Sequence, residues 1–312
     1  MDRLSAICAP EGRRLIHCAG RAAKVAVATS AKIGEVGMGR PLGDQAIVDE
    51  ALLAKLSAEV AVAAAATLAS ARTFRIKADR TPVTEADERS QDILLKAMAR
   101  LMPGIAVVSE ELPIRPSRLG DVFALIDPLD GTKEFVAGSI EYTVNLAIIR
   151  DREPVVGIVA VPAEGFIYRG CVLHGAERLA MSRDGASLDV AAAEPIRVRT
   201  LPRGGVVAAV SRSHLDSATV ALLDRLHIGN RIACGSALKF CRIAEGAADI
   251  YPRLAPTCEW DVAAGHALVA AAGGTVTLPD GGALRYGEAA SDFRVPAFIA
   301  WGDPSAAARL RL

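Results

Sequence analysis

Five short apolar runs, separated by turn-forming residues, fill positions 106 to 172 of this 312-residue sequence. They read AVVS (106–109), VFALI (122–126), TVNLAII (143–149), VVGIVAVP (155–162) and FIYRGCV (166–172). Runs of this length between turn residues predict β-strands. Many of them are apolar at nearly every position instead of at alternate positions, which is typical of strands covered on both faces. The sequence therefore predicts a sheet that lies between other layers.

Segments with a helical spacing of apolar residues flank these runs. Helices are predicted from Asp49 to about Arg72, from Glu85 to Leu101, and across DSATVALLDRL (216–226), ALKFCRIAEG (237–246) and WDVAAGHALVAAAGG (260–274). Further strands are predicted at VVAAVS (206–211), TVTL (275–278) and AFIAWG (297–302). Strands interleaved with helices predict a layered α/β or α+β protein.

The chain length fits one large domain or two closely packed subdomains. The polar, basic segment from Ala176 to Pro202 is the predicted boundary, which gives subdomains of residues 46–190 and 191–312. Residues 1–45 scatter Arg and Lys among Ala, Gly and Ser without a sustained period. We expect a poorly ordered extension there, or a translation start nearer Met38; a transit-like or membrane-surface segment is the alternative.

Charge and cysteine content argue against several classes of protein. Lys plus Arg and Asp plus Glu both number 36, so the formal charge is zero. The sequence has no basic stripe of the kind that binds a nucleic-acid polymer. No apolar stretch approaches the roughly 20 residues of a membrane span, and the alanine-rich run at 58–71 is predicted to be a buried helix. Six scattered cysteines without a CxxC pair favour reduced thiols in a cytoplasm.

The stretch IDPLDGTKEF (126–135) places Asp127 and Asp130 after the VFALI run. Asp, Pro and Gly are common turn formers, so DPLDG can simply end a strand. The same carboxylates suit Mg²⁺, which prefers oxygen ligands. Two such ions about 3.5–4 Å apart would serve an in-line phosphoryl displacement. Gly131 would permit close approach of a ligand, with neighbouring amides facing a phosphate.

Other residues would complete such a site, but each has a structural explanation. Taken without the other motifs, the adjacent residues Glu110 and Glu111 are predicted to be a solvated pair in a loop. Asp87 stands three positions after Thr84 in a helix-capping pattern. Asp261 suits the cap of the helix that it opens, and His214 in SRSH is alone an ordinary surface histidine.

Together these segments resemble the inositol monophosphatase superfamily of metal-dependent phosphatases. DPLDGTKEF (127–135) and WDVAAGHALVAAAGG (260–274) are similar to its two signature blocks. DGTKEF, where inositol phosphatases typically read DGTTNF, resembles the CysQ-type branch of 3′(2′),5′-bisphosphate nucleotidases, as do KADRTPVTEAD (77–87), SRSH (211–214) and GSALKFCRIAEGAADIYPRL (235–254). The resemblance covers about residues 47–305 and implies the αβαβα sandwich shared with fructose bisphosphatases.

The resemblance also implies a site for two or three Mg²⁺ ions. Matching positions put Glu110, Asp127 and the Leu129 carbonyl on one ion. Asp127 would bridge to a second ion on Asp130 and Asp261. Thr132, with Asp87 behind it, matches the pair that orients the nucleophilic water, and Glu110 joins them as a catalytic residue.

A nucleotide pocket is implied by further matches. Gly131 and Thr132 match positions that hold the scissile phosphate. Residues matching the nucleotide lining are His214, Ser236, Lys239 and Arg253; the substrate contacts also include Glu110, Leu129, Asp130 and Asp261. Glu259 departs from several relatives that carry a neutral residue there, and we expect this carboxylate to alter the affinity of the second ion.

The implied reaction removes the 3′-phosphate of adenosine 3′,5′-bisphosphate, a by-product of sulfate assimilation, by direct attack of a metal-activated water. The rival enzyme is an inositol-1-phosphate phosphatase with the same metal ligands. A non-catalytic nucleotide- or metal-binding protein is the rival of another class. The partner is thus a small-molecule nucleotide, and the sequence leaves the oligomeric state open. Bacterial relatives of the branch are described as peripheral on the inner face of the inner membrane, so location is either there or in the soluble cytoplasm.

Overall fold

Helices of very different length frame the molecule in the computed structural model, which describes residues 47–310 apart from 78–80, 113, 117 and 191. The described α-helices are α1 (Glu50–Ala69), α2 (Glu85–Leu101), α3 (Thr132–Val136), α4 (Ser217–Arg225), α5 (Leu238–Ala244), α6 (Glu259–Ala271) and α7 (Ala306–Arg309). Single 3₁₀ turns lie at Pro162–Glu164 and Ala289–Ser291. The expectations for residues 1–45, including Met38, fall outside the described residues.

The first sheet follows the order of the sequence. A separate antiparallel hairpin, β1 (Phe74–Ile76) and β2 (Pro82–Thr84), precedes it. The strands of the first sheet are β3 (Ala106–Ser109), β4 (Val122–Asp130), β5 (Thr143–Arg150), β6 (Glu153–Val161), β7 (Phe166–Cys171), β8 (Gly175–Ala180) and β9 (Glu194–Ile196), each paired with the next. Among the described pairs of this sheet, β3–β4 is parallel and the others are antiparallel. All five strands predicted between positions 106 and 172 are confirmed.

The second sheet has the order β11-β10-β12-β16-β14. Its strands are β10 (Val207–Ser211), β11 (Asn230–Cys234), β12 (Ile250–Arg253), β14 (Thr275–Thr277) and β16 (Phe298–Trp301). A short pair of β13 (Thr257–Cys258) and β15 (Arg294–Val295) lies outside both sheets. Strands β10 and β11 are parallel neighbours, so their carboxyl ends lie side by side.

Helices cover both faces of each sheet. Along β4, Ile126 is buried in the cluster with α1 and α2, whereas Leu125 is buried in the cluster with α5 and α6. Along β16, Phe298 joins that same central cluster, and Ile299 packs with residues of α4 and α7 on the outer side. The five layers form an αβαβα sandwich, which confirms the predicted fold class. The first sheet is covered on both faces as expected, although most of its strands are antiparallel.

Helix α1 is the one described helix that has the length and composition of a membrane span, with a hydropathy of 1.6. Half of its most apolar window is buried inside the protein. There it packs against α2 and against β5, β6 and β7. The alanine-rich run predicted to be a buried helix forms its second half, where Val60, Ala63 and Ala64 are buried.

The segment from Ala176 to Pro202 contains strands that the sequence pattern did not reveal. Strands β8 and β9 both pair into the first sheet. The change from the first sheet to the second therefore falls between Ile196 and Val207. The division into subdomains 46–190 and 191–312 stays a prediction.

Candidate active site

The first four residues of the DPLDG stretch form the end of a strand, and the turn comes at the glycine. Strand β4 continues to Asp130, and its pairing with β5 shifts in register between Asp127 and Asp130. The irregularity leaves Asp127 buried, with its Oδ1 accepting the Leu129 N–H at 3.0 Å. Only Gly131 makes a sharp turn, with φ of 95°, before α3 begins at Thr132. The turn interpretation therefore accounts for the glycine but not for the aspartates.

Three aspartates from distant parts of the chain converge at this point. Carboxylate oxygens of Asp127, Asp130 and Asp261 lie within 4.8 Å of one another. Asp261, in the first turn of α6, accepts hydrogen bonds from the Thr257 hydroxyl and from the Cys258 N–H, the latter at 3.1 Å. The cluster therefore depends on how α6 packs against the first sheet.

Glu110 lines the same cavity but is outside this three-residue group. It follows β3, and its N–H donates to the Ile126 carbonyl at 3.3 Å. The Lys77 ammonium lies 3.7 Å from the Glu110 carboxylate and 2.8 Å from that of Glu111. Since the Glu111 side chain is only 8% exposed, the two glutamates are not a solvated loop pair.

Burial and mutual repulsion make these acids hard to ionise without a cation. Burial, followed by the charge of Asp261, raises the pKa of Glu110 to about 8 and that of Asp130 to about 7. Burial and the neighbouring carboxylates also raise the pKa of Asp127 well above its ordinary value. A bound cation would reverse these effects, and a ligand set made only of oxygens fits a hard divalent ion such as Mg²⁺.

Asp87 caps a helix and also contacts Thr132. At the start of α2, its Oδ2 accepts the Thr84 N–H at 2.8 Å and the Thr84 hydroxyl at 2.5 Å, which completes a capping box. Its Oδ1 accepts the Thr132 hydroxyl at 3.0 Å. Asp87 itself is buried and does not line the cavity, whereas Thr132 does. The helix cap thus also fixes the threonine beside the aspartates.

A cavity of about 380 Å³ lies over the cluster. It is lined by every predicted metal ligand and substrate contact: Glu110, Asp127, Leu129, Asp130, Gly131, Thr132, His214, Ser236, Lys239, Arg253 and Asp261. Sequence reasoning missed several other lining residues: Thr81, Pro82, Ser211, Gly235, Tyr251, Pro256, Thr257, Cys258, Val262, Arg294 and Phe298. Thr257 and Cys258 could have been found from their closeness to Asp261, but no motif marked Arg294.

The predicted nucleotide contacts come from the second half of the chain and differ in hydrogen bonding and exposure. The Ser236 hydroxyl donates to the Asp130 carbonyl at 2.8 Å, and the buried Lys239 ammonium donates to the Ser236 carbonyl at 2.7 Å. Arg253 Nε is buried without a hydrogen-bond partner among the described residues, and His214 is exposed. The cavity therefore has an acidic side built by β4 and α6. Opposite charge comes from a basic wall made of Lys239 of α5, Arg253 of β12 and Arg294 of β15.

Glu259 does not add a carboxylate to the cluster. The side chain is 1% exposed, and its two oxygens accept the N–H groups of Gly287 at 2.6 Å and Glu288 at 3.0 Å. It is also absent from the cavity lining. The carboxylate instead fixes the loop at 287–288, and the expectation that Glu259 alters the affinity of a second ion stays a prediction.

Comparison with known proteins identifies the family to which this fold belongs. The model of the inositol monophosphatase family matches residues 46–308, and the chain belongs to this family. It is 39% identical over 212 residues to the 3′(2′),5′-bisphosphate nucleotidase CysQ of Salmonella typhimurium, which covers 67% of this chain and 81% of the relative. The identity to CysQ of Escherichia coli (strain K12) is 38%, with the same coverage.

Solved structures show the same relationship. The crystal structure of CysQ from Bacteroides thetaiotaomicron matches with a TM-score of 0.70 and 30% identity, over 81% of this chain and 97% of that one. An inositol monophosphatase from Anabaena matches with a TM-score of 0.67 over 84% of this chain and 94% of that one. At 22% identity, the second comparison shows the shared fold alone.

Proposed function

We propose that this protein is a Mg²⁺-dependent 3′(2′),5′-bisphosphate nucleotidase that converts adenosine 3′,5′-bisphosphate to AMP and phosphate. The observation that carries the proposal is the pairing of an aspartate cluster with a basic wall in one cavity, in a chain 38% or 39% identical to CysQ nucleotidases. A substrate with two phosphates requires cations beyond the metal ions, and Lys239, Arg253 and Arg294 line this cavity.

The acid set suits two or three Mg²⁺ ions. Asp127, Glu110 and the Leu129 carbonyl would hold one ion, and Asp127, Asp130 and Asp261 another. When bound, Mg²⁺ lowers the pKa of water and neutralises charge on a transferring phosphoryl group. The Thr132 hydroxyl donates to Asp87, so its oxygen lone pairs remain available to accept a hydrogen bond from a water and orient it.

A substrate panel tests the proposal. We expect purified protein with Mg²⁺ to release phosphate from adenosine 3′,5′-bisphosphate with a kcat/KM at least about a hundredfold above that for inositol 1-phosphate, because an unpaired basic wall penalises the smaller substrate. Chelation of the metal serves as the control and should stop the reaction. Preference for inositol 1-phosphate would overturn the choice of substrate, and no release from any phosphate ester would favour a non-catalytic binding protein.

We place the enzyme in a reducing compartment, the cytoplasm. The cysteines in the described part of the chain, Cys171, Cys234, Cys241 and Cys258, are all free, which suits reduced thiols. Peripheral attachment to the inner membrane rests on the resemblance to relatives alone. Fractionation of cells in low and high salt distinguishes the two locations.

A further inference from the structure

We propose that Glu141 and Arg212 form a clamp that positions the segments carrying His214, Ser236 and Lys239 against the aspartate cluster. Neither residue lines the cavity, but each contacts or adjoins residues that do. Both are therefore positioning residues and not catalytic residues. The inference rests on the proposed nucleotidase function, because its readout is the binding of that substrate.

The clamp connects the two sheets at the place where both reach the cavity. Glu141 lies just before β5, whose Thr143 is paired with Asp130 of β4. Arg212 follows β10, and Gly235 follows β11, its parallel neighbour. The carboxyl ends of two strands of the second sheet are thus tied to the strand pair that carries the aspartates.

The contacts of the clamp are close and mutually oriented. Arg212 donates from Nε to Glu141 Oε2 and from Nη2 to Glu141 Oε1, both at 2.7 Å. The same Oε2 accepts the Gly235 N–H at 3.0 Å, and Arg212 also donates to the Ala233 carbonyl. The hydrogen bonds from Arg212 hold the pKa of the Glu141 carboxyl below its ordinary value. A bidentate pair of this kind restricts direction as well as distance.

The segments held by the clamp carry the predicted nucleotide contacts. On one side, Ser236 has φ of 50°, and its hydroxyl lies 2.8 Å from the Asp130 carbonyl and 3.1 Å from that of Glu141. Lys239 then donates to the Ser236 carbonyl at 2.7 Å. On the other side, the segment after β10 includes His214, whose N–H donates to the Ser211 hydroxyl at 3.1 Å. Releasing the clamp would remove the side-chain contacts of Glu141 with both segments and leave the Ser236 hydroxyl bond to the Asp130 carbonyl, so both segments would be held less firmly beside the aspartates.

The exposure of the pair indicates that its main effect is on binding. The Arg212 side chain is 54% exposed and that of Glu141 is 18% exposed. Ion pairs this open to water contribute little to the stability of a fold. Breaking the clamp should therefore change substrate affinity while leaving the thermal unfolding temperature nearly unchanged.

Kinetics of Arg212→Gln, Glu141→Gln and the double variant test the clamp. We expect KM for adenosine 3′,5′-bisphosphate to rise roughly tenfold in each single variant, with kcat within about twofold of the wild type, because the segments carrying His214, Ser236 and Lys239 shift while the aspartates remain. Since each partner acts through the other, the double variant should show about the same KM as either single variant.

Arg231→Gln is the matched control. Arg231 belongs to β11, its guanidinium lies 2.8 Å from Asp224, and it does not line the cavity, so KM should not change. An unchanged KM in Arg212→Gln, a loss confined to kcat, or additive effects in the double variant would overturn the clamp. The proposed function fails separately if the wild type shows no preference for the bisphosphate. The clamp is then judged on the ester that the wild type hydrolyses or, if there is none, on calorimetric Kd for the bisphosphate.

Discussion

At Gly131 both the backbone conformation and the close packing require glycine. Its φ is 95°, and an added Cβ would lie 2.4 Å from the Ser236 hydroxyl and 3.3 Å from the Glu141 carbonyl. We expect Gly131→Ala to lower kcat/KM by about a hundredfold, because the loop between Asp130 and Thr132 must move. The free energy of unfolding should fall by about 2–4 kcal/mol, from the left-handed backbone and the overpacking together. Steady-state kinetics and urea denaturation measure the two effects.

Gly104 offers a matched control for that substitution. Its φ is 88°, but nothing lies within 4 Å of an added Cβ. Gly104→Ala should therefore lose only about 1–2 kcal/mol for the backbone and retain full activity. If both alanine variants behave alike, the contact with Ser236 is not what requires glycine at position 131.

The placement of residues in the site was predicted well where a motif marked them, and poorly where only closeness in sequence suggested it. Asp127, Asp130 and Asp261 do meet, as their motifs implied. Glu259 stands only two positions before Asp261, yet it serves a different loop. Successive positions on an α-helix turn by about 100°, so residues two apart face nearly opposite directions. Closeness in sequence therefore gave the wrong environment for Glu259.

At the scale of elements, the approach of α6 to β6 sets the position of Asp261. An added Cβ at Gly157 of β6 would lie 2.0 Å from the Ala264 carbonyl and 2.9 Å from the Ala267 Cβ. We expect Gly157→Ala to reduce the free energy of unfolding by about 3 kcal/mol or more, because backbone must shift. Displacement of α6 should also weaken Mg²⁺ binding, which isothermal titration calorimetry would detect.

Gly229 provides the comparison, since nothing lies within 4 Å of a Cβ there. Gly229→Ala should change the free energy of unfolding by less than about 1 kcal/mol and leave Mg²⁺ binding intact. A similar stability for both variants would mean that α6 and β6 can separate without cost, contrary to the packing described above.

Three of the strands that sequence reasoning missed carry several polar or charged residues. GAERLA (175–180), EPI (194–196) and NRIAC (230–234) lack the apolar runs that marked the other strands. Strands β9 and β11 lie at sheet edges, where one side has no neighbouring strand. Their structure comes from pairing with β8 and β10, which no local pattern reports. Position in the sheet did not decide the outcome: the edge strands β3 and β14 were predicted from apolar runs, whereas β12, in the middle of the second sheet, was missed.

At the scale of the whole molecule, the layered fold followed from element order, whereas the site did not. Periodicity alone could not bring Asp127, Asp261 and Arg294 to one cavity, because they lie on segments far apart in sequence. Motif resemblance supplied the aspartates. Arg294 reaches the cavity through the pairing of β15 with β13, opposite Cys258, a tertiary contact without a sequence signal.

Because the aspartates meet only in the folded chain, Mg²⁺ should stabilise the whole molecule. At a concentration about 100 times its Kd, the ion would add about 2.7 kcal/mol to the free energy of unfolding, or roughly 5–10 °C to the unfolding temperature.

Asp127→Asn should abolish both turnover and this Mg²⁺-dependent shift. In chelator, however, the variant should unfold at or above the wild-type temperature, since burial and neighbouring carboxylates oppose ionisation of Asp127. Calorimetry with EDTA and with Mg²⁺ measures both effects. An equal Mg²⁺ shift in the variant, or a marked loss of stability in EDTA, would show that Asp127 does not belong to a cation site.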